Sequence, residues 1–492
     1  MPARPLPSNP NLENLRRQAK TLQRLVRAGD GDAESLLREF RPDVDRSAFR
    51  RSDAQLVIAR RYGFASWRRL VEHVEFVNQH TRAPHRVSAV PPADRADEFL
   101  RLVCVTYGGD DLARQARGRE LLAEHPDLTS GSIHAAAAAG DVAAARALLD
   151  DDPALARREG GPHAWPPLLY LAFARAGGER PGYSPLGVAR LLLQRGADPN
   201  SGYLWEGLPS PFTALTGAFG EGEDVANQPR HPEGERLARL LLDAGADPND
   251  SQALYNRMFR PANDHLELLF EYGLGRGDGG PWHAVLGVAH QTPSEILQCQ
   301  LLWAAERNHV ERVRLLLRHG VDVRTPDIRQ SGPTGRSAYE IAILLGNTEI
   351  AALLAEAGAV APALDPAGEL VAACMGGDRP TVDRLLAADP GLPGRVIAAG
   401  PDLLVRAAEL DRADAVRLLV RVGFDVNGRQ RITPLHAAAY NGSFDMARLL
   451  IELGADPTVR DAEFDSTPAG WADHNHHSDL AAYLAEVSVS RG

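Results

Sequence analysis

The chain has 492 residues, 44% of them apolar but only 6% aromatic, with 54 Lys plus Arg against 65 Asp plus Glu and a net charge of −11. One hydrophobic core rarely serves so long a chain, so several domains or a repetitive array are expected, and apolar content dominated by Ala and Leu suits thin helices packed at short distance. No run of 18 apolar residues occurs, since even His134 to Leu149 is broken by Asp141 and Arg146, so no membrane-spanning helix is expected.

The opening residues, MPARPLPSNPNLENLRR, lack the apolar core and cleavage site of a secretory leader, so a cytoplasmic location is the expectation. Cys104, Cys299 and Cys374 are scattered on helical segments and read as buried small hydrophobes rather than disulfide partners. Residues 1–90 hold 17 Lys plus Arg against 10 Asp plus Glu, while the remainder holds 37 against 55, so the net charge divides into +7 and −18. Within this basic segment Leu12, Leu15, Ala19, Leu22 and Val26 form a helical stripe, and helices are predicted over Ser52–Tyr62 and Ser66–Val77. Arg16, Arg17, Lys20, Arg24 and Arg27 invite a nucleic-acid or acidic-partner reading. The preferred expectation is a helical cap over the open end of a repeat array, its Arg stems solvated or paired with the acidic repeats, because terminal solenoid units need a polar outer face. A Pro- and Ala-rich linker over Ala83–Ala93 then leads to connecting helices Ala96–Tyr107 and Asp111–Ala123, within residues 91–128.

Residues 129–488 read as a repeat array, clearest from Thr433 to Asp456, TPLHAAAYNGSFDMARLLIELGAD. Pro434 suits a first helical turn, where no backbone donor is required, and Thr433 can cap it. Asn441-Gly442 ends the first helix, Ser443 caps the second, and Met446, Leu449, Leu450 and Leu453 form one apolar stripe. The interval Leu435 to Gly454 recurs as Ile133–Asp152, Leu254–Gly273, Leu301–Gly320, Tyr339–Gly358 and Leu370–Asp389, and one position shorter as Val405–Gly423, with a terminal unit opened by Thr467-Pro468. Leu168–Gly196 and Leu215–Gly245 are longer, each with an inserted loop of about ten residues between its helices.

The pattern resembles the ankyrin repeat, whose T-P-L-H-x-A signature is matched by Thr433, Pro434, Leu435, His436 and Ala438. The resemblance implies an all-α ankyrin-repeat solenoid of about ten helix-turn-helix units, preceded by an N-terminal helical module. Ala54 to Trp67 resembles a segment that precedes ankyrin repeats in many bacterial proteins, and a composition with a single lysine, Lys20, fits a GC-rich bacterial genome. In the family the histidine of the signature bonds within the turn network, so His134 and His436 are expected to be structural. Asp198, Asp247 and Asp456 are expected to order their turns.

Motifs for chemistry fail on context. Gly275-x-Gly277-x-x-Gly280 follows a predicted helix rather than a strand, and neither G-x-S-x-G, a P-loop nor C-x-x-C occurs. The run His474-Asn475-His476-His477 between Asp473 and Asp479 offers metal-ligand chemistry. It aligns, however, with the inter-helix turn, His476 taking the Gly442 position. No cofactor and no metal are expected.

The two insertions and their neighbours form the candidate partner-binding region, because binding residues concentrate on loops held by a rigid scaffold. The candidates are Tyr203, Trp205, Phe212, Asn227, Gln228, His231, Tyr255, Arg257, Trp282 and His283. The expectation is a non-enzymatic scaffold for an unidentified protein partner, steered toward basic partners by the acidic repeats, with no nucleic acid and no membrane as partner. One alternative is an enzyme or small-molecule binder with a pocket in 202–283 using Glu221, Glu223, Asp224, His231 and His283; the other is nucleic-acid binding through residues 1–90.

Overall fold

The structure is a computed structural model that describes residues 6–7, 9–89, 91–176, 181–324, 335–428 and 431–491. Packing divides the chain into two compact units, residues 1–259 with 264–296, and residues 260–263 with 297–492.

The first unit opens with the basic helical module: α1 (Leu12–Ala28), α2 (Gly31–Phe40), α3 (Arg51–Arg61) and α4 (Trp67–His80). Asn11 caps α1 by accepting the Asn14 N–H at 3.1 Å, and Gly29 ends it at φ +81°. Four of the five stripe residues are buried: Leu15, Ala19, Leu22 and Val26 share a core with Ala54, Val57 and Ile58 of α3 and Leu70 and Val74 of α4, with half-buried Leu12 packed against it. Helix α2 lies outside the predicted elements and buries Ala33 and Leu37.

The segment expected as a linker is structured. Thr81–Arg82 is strand β1, and Pro84–Ala89 forms a short 3-10 helix. Helices α5 (Arg95–Val103) and α6 (Leu112–Glu124) follow, and α5 stops four residues before the predicted end. The chain turns extended there because Val105 N–H donates to Phe173 O at 3.0 Å, Arg175 N–H donates to Val103 O at 2.7 Å, and Cys104 bridges Ala174. Helix α5 packs on both α6 and α7 (Ile133–Ala139), so this pair covers the first repeat. The basic module reaches the repeats differently, through Val77 of α4 against Leu204 and Leu286, with Phe76 and Trp282 alongside.

The repeats are built as read. In the first, Gly140 at φ +78° ends α7 and Asp141 caps α8 (Val142–Asp151). In Pro434–Asn441 and Phe444–Glu452 the same positions are Gly442 at φ +71° and Ser443. A Cβ on Gly442 would lie 2.7 Å from the His477 imidazole, so the turn requires glycine for space as well as for φ. First helices stack in order: α7, Pro167–Phe173, Ala214–Phe219 and Ser251–Asn256 in the first unit, and Leu403–Glu409, Pro434–Asn441 and Pro468–His474 in the second. The result is an all-α solenoid of helix pairs, with small departures. One is a three-stranded sheet in which β2 (Gly202–Trp205) pairs in parallel with β1 and antiparallel with β3 (Pro211–Thr213). Another is an additional helix, Leu392–Ala399, between two repeats of the second unit. All three cysteines are buried.

Candidate interaction surfaces

The signature histidines hold loops. Thr433 N–H donates to His436 Nδ1 at 3.2 Å, so the Nε2–H of the ring donates to Ser466 O at 3.0 Å and ties one repeat to the finger of the next. His134 Nε2 does the same toward Arg158 O at 2.9 Å. In the His474 run, His476 sits at φ +61° in the turn and His477 Nε2 bonds to Tyr440 O at 3.1 Å. Asn–Asp pairs link neighbouring fingers: Asp247 N–H donates to Asn200 Oδ1 at 2.8 Å, and Asp456 N–H donates to Asn427 Oδ1 at 2.7 Å.

The insertion region gathers the ten candidate residues into one structure, but mostly inside it. Tyr203 of β2 is 2% exposed and stacks between Trp165, at 5.0 Å, and Phe212 of β3, at 5.5 Å. Burial raises its phenol pKa well above the usual value. Asn227, Gln228 and His231 line the inner side of the long loop 220–233. Gln228 Nε2 donates to Asp110 Oδ2 at 3.1 Å, and Gln115 Nε2 donates to Asn227 O at 3.3 Å. Burial, with the nearby Arg175 charge, pushes the His231 imidazole down to about 3, so it stays neutral and accepts the Glu233 N–H at 3.1 Å. Arg257 is 0% exposed and pairs with Glu221 at 3.2 Å and Asp264 at 2.8 Å.

The remaining four are partly exposed. Trp205 donates through Nε1 to Thr106 O at 3.0 Å and stacks on His85 of the basic module at 4.8 Å. Trp282 donates to Asn200 O at 2.9 Å and meets Phe76 and His80 of α4, each at 5.6 Å. Tyr255 donates its hydroxyl to Glu223, and His283 lies 5.8 Å from His290. The hairpin and Trp282 therefore already have a binding segment, and it is α4 with the short stretch after it.

Arg175 and Asp110, which no motif marked, are central to this region. Buried Arg175 donates to Pro229 O at 2.6 Å, Gly217 O at 2.9 Å, and Ala172 O and Ala174 O at 3.0 Å, joining three backbone segments. Burial lowers its pKa to about 10, which leaves it charged at neutral pH. Asp110 accepts from Thr106 N–H at 2.9 Å and Tyr107 N–H at 2.8 Å and pairs with Arg114 at 2.7 Å. A charged residue interrupting an apolar run is the one sequence signal Arg175 gives, and Asp110, in Gly-Gly-Asp-Asp, gives none. Asp250 is likewise enclosed, taking hydrogen bonds from Thr213, Thr216 and Ala253; burial nonetheless lifts its pKa to about 6.

The carboxylates and imidazoles considered for chemistry do not converge on an open pocket. Glu221 faces Arg257, Glu223 faces Tyr255, and Asp224 accepts from the Asn227 amide at 3.0 Å. A cavity of about 20 Å³ lined by Asn200, Thr213, Asp247, Asp250, Trp282 and His290 has room for one water.

A second surface lies in the last two repeats. The finger Asp456–Ser466 projects Phe464 with 64% of its surface exposed. Asp461 holds the finger from within, accepting N–H donations from Phe464 at 2.6 Å, Glu463 at 2.8 Å and Ser466 at 2.9 Å, and from Trp471 Nε1 at 3.0 Å. Burial alone would raise that carboxyl, but the donors together hold it well below the usual carboxylate range. Phe464 packs edge-on against Trp471 at 6.1 Å, and Trp471 against Tyr440 at 6.2 Å, giving an aromatic row across neighbouring inner helices. Arg431 and Glu463 bridge adjacent fingers at 2.5 Å, beside the Ala462 N–H to Arg431 O bond at 3.0 Å.

Comparison with known proteins accords with this geometry. Residues 370–461 match the family described as ankyrin repeats in three copies, and residues 301–328 match the single ankyrin repeat. A curated relative from Gallus gallus described as Inversin is 32% identical over 99 residues, which is 20% of this chain and 9% of that protein. The match thus spans less than a tenth of the relative's length. The stacked helix pairs, the turn-bonded histidines and the two family matches establish that this chain carries ankyrin repeats.

Proposed function

We propose that the chain is a non-enzymatic scaffold that binds a protein partner through preformed fingers and inner helices, with the Phe464, Trp471 and Tyr440 row as the principal contact. Ankyrin repeats are generally protein-interaction modules, which sets the class. The exposed Phe464 ring on a finger fixed by Asp461 is the observation that carries the choice of surface. A large aromatic held rigidly in solvent loses little freedom on binding, so more of its buried area becomes affinity. Exposed Asp473, on the Trp471 helix, and the −18 charge of residues 91–492 favour a partner with an apolar anchor and a basic flank. The enclosed, mutually paired polar groups of 202–283 support a structural role there rather than catalysis.

The test compares capture by immobilised full chain and by Phe464→Asp from a native lysate, with affinity then measured on the captured partner. Loss of at least tenfold in affinity, with an unchanged melting temperature, is expected. Equal capture by both proteins would remove the finger from the interface.

A further inference from the structure

The exposed face of α1 carries a row of cations, and among the described residues no carboxylate forms an ion pair with them. Arg16, Arg17, Lys20, Arg24 and Arg27 are all exposed, and at 3.6 residues per turn they fall within an arc of about 100°, turned away from buried Leu15, Ala19, Leu22 and Val26. Among the described residues no carboxylate pairs with Arg16, Arg17, Lys20 or Arg24, whereas Arg38, Arg41 and Arg46 of the same module pair with Glu34, Asp43 or Asp53. Arg27 donates to Phe49 O, a neutral acceptor, at 3.3 Å. Of the two expectations for these stems, solvated or paired with the acidic repeats, the exposed positions fit the first. The capping task is met by α5 and α6, and the module is anchored by α4, which leaves α1 free of both duties.

We propose that this face of α1 docks on the phosphate backbone of duplex nucleic acid without reading its sequence. Five cations from Arg16 to Arg27 span about 16 Å at 1.5 Å per residue. One strand of a duplex presents one phosphate per about 3.4 Å of axis, or about five over that length, so the row supplies roughly one cation per phosphate. Helix α1, LENLRRQAKTLQRLVRA, has no aromatic residue and hence no platform for unstacked bases, which favours a duplex over a single strand. Interactions beyond about 8 Å are screened at physiological salt, so this local row rather than the net charge of −11 governs the contact.

The experiment measures binding of a 20-base-pair random-sequence duplex to the full chain between 50 and 200 mM salt. For about five neutralised phosphates, log K should fall against log salt with a slope of about −4.5, a loss of several hundredfold over that range. The quadruple variant Arg16→Gln, Arg17→Gln, Lys20→Gln, Arg24→Gln should keep the wild-type melting temperature and reduce the slope to about −1. Absence of duplex binding at 50 mM salt would overturn the proposal, as would a slope that the quadruple variant leaves unchanged. Tighter binding of a poly-glutamate peptide than of the duplex would also overturn it, and would assign the row to an acidic protein segment. Capture through Phe464 is read separately, so failure of either idea leaves the other standing.

Discussion

The insertion region and the C-terminal fingers both concentrate aromatic residues on ankyrin turns, yet they use them in opposite ways. Between 203 and 283 the rings face inward: Tyr203 and Phe212 complete a stack with Trp165, and Trp205 and Trp282 receive the basic module. Between 440 and 471 Tyr440 and Trp471 are half-buried, and Phe464 faces outward on a turn that Asp461 has already ordered. Aromatic density in a loop thus does not distinguish a seam from a binding surface; what distinguishes them is whether another segment of the chain reaches the ring.

Four measurements can break or sharpen that contrast. The largest effect is expected at the seam, where Arg175→Ala should lower stability by about 3–5 kcal/mol, because four backbone carbonyls lose a buried donor. A denaturant titration showing less than 1 kcal/mol would mean that water replaces the guanidinium. Tyr203→Ala should cost about 3–4 kcal/mol by the same assay and leave partner affinity unchanged, as expected for a buried ring. A weakened complex from this variant would show that the seam and the interface are one structure.

Acid lability should be the next largest effect. Burial lowers the imidazoles of His163 and His231 to about 3 and that of His290 to about 4, below the value near 6.5 that they take when unfolded. Below pH 6.5 the unfolded chain therefore binds protons that the folded chain refuses, so stability falls with pH until the folded values are reached. Each such histidine should remove about 2 kcal/mol between pH 6.5 and 5. Asp250 works in the other sense: its folded value of about 6 exceeds the unfolded 3.8, so its contribution is lost as pH rises between the two. Melting temperatures of His231→Gln against the parent between pH 5 and 8 should show a shallower acid slope, and parallel curves would contradict the assignment. The smallest stability effect belongs to Phe464→Ala, within about 0.5 kcal/mol of the parent, since an exposed ring has little folded surface to lose. A larger loss would make Phe464 part of the core.

The repeat frame was legible because each of its parts is a local necessity. Pro434 at a helix start, Gly442 at positive φ, Ser443 at a cap and the stripe Met446–Leu450 depend only on near neighbours. The same holds for the Thr433–His436 bond and for the turn position of His476. The sheet joining β1 to β2 was not legible, since Thr81 and Leu204 are paired across more than a hundred residues and neither carries a signal of the other. Nor was the occupation of the hairpin by α4, which follows from Val77, Leu204 and Leu286 sharing one small apolar cluster. Sequence alone determined the helix pairs, their caps and the charge asymmetry, all properties of short segments. Only the tertiary structure decided which aromatics face inward and which cations stay unpaired, because both depend on what a distant segment brings to the same place.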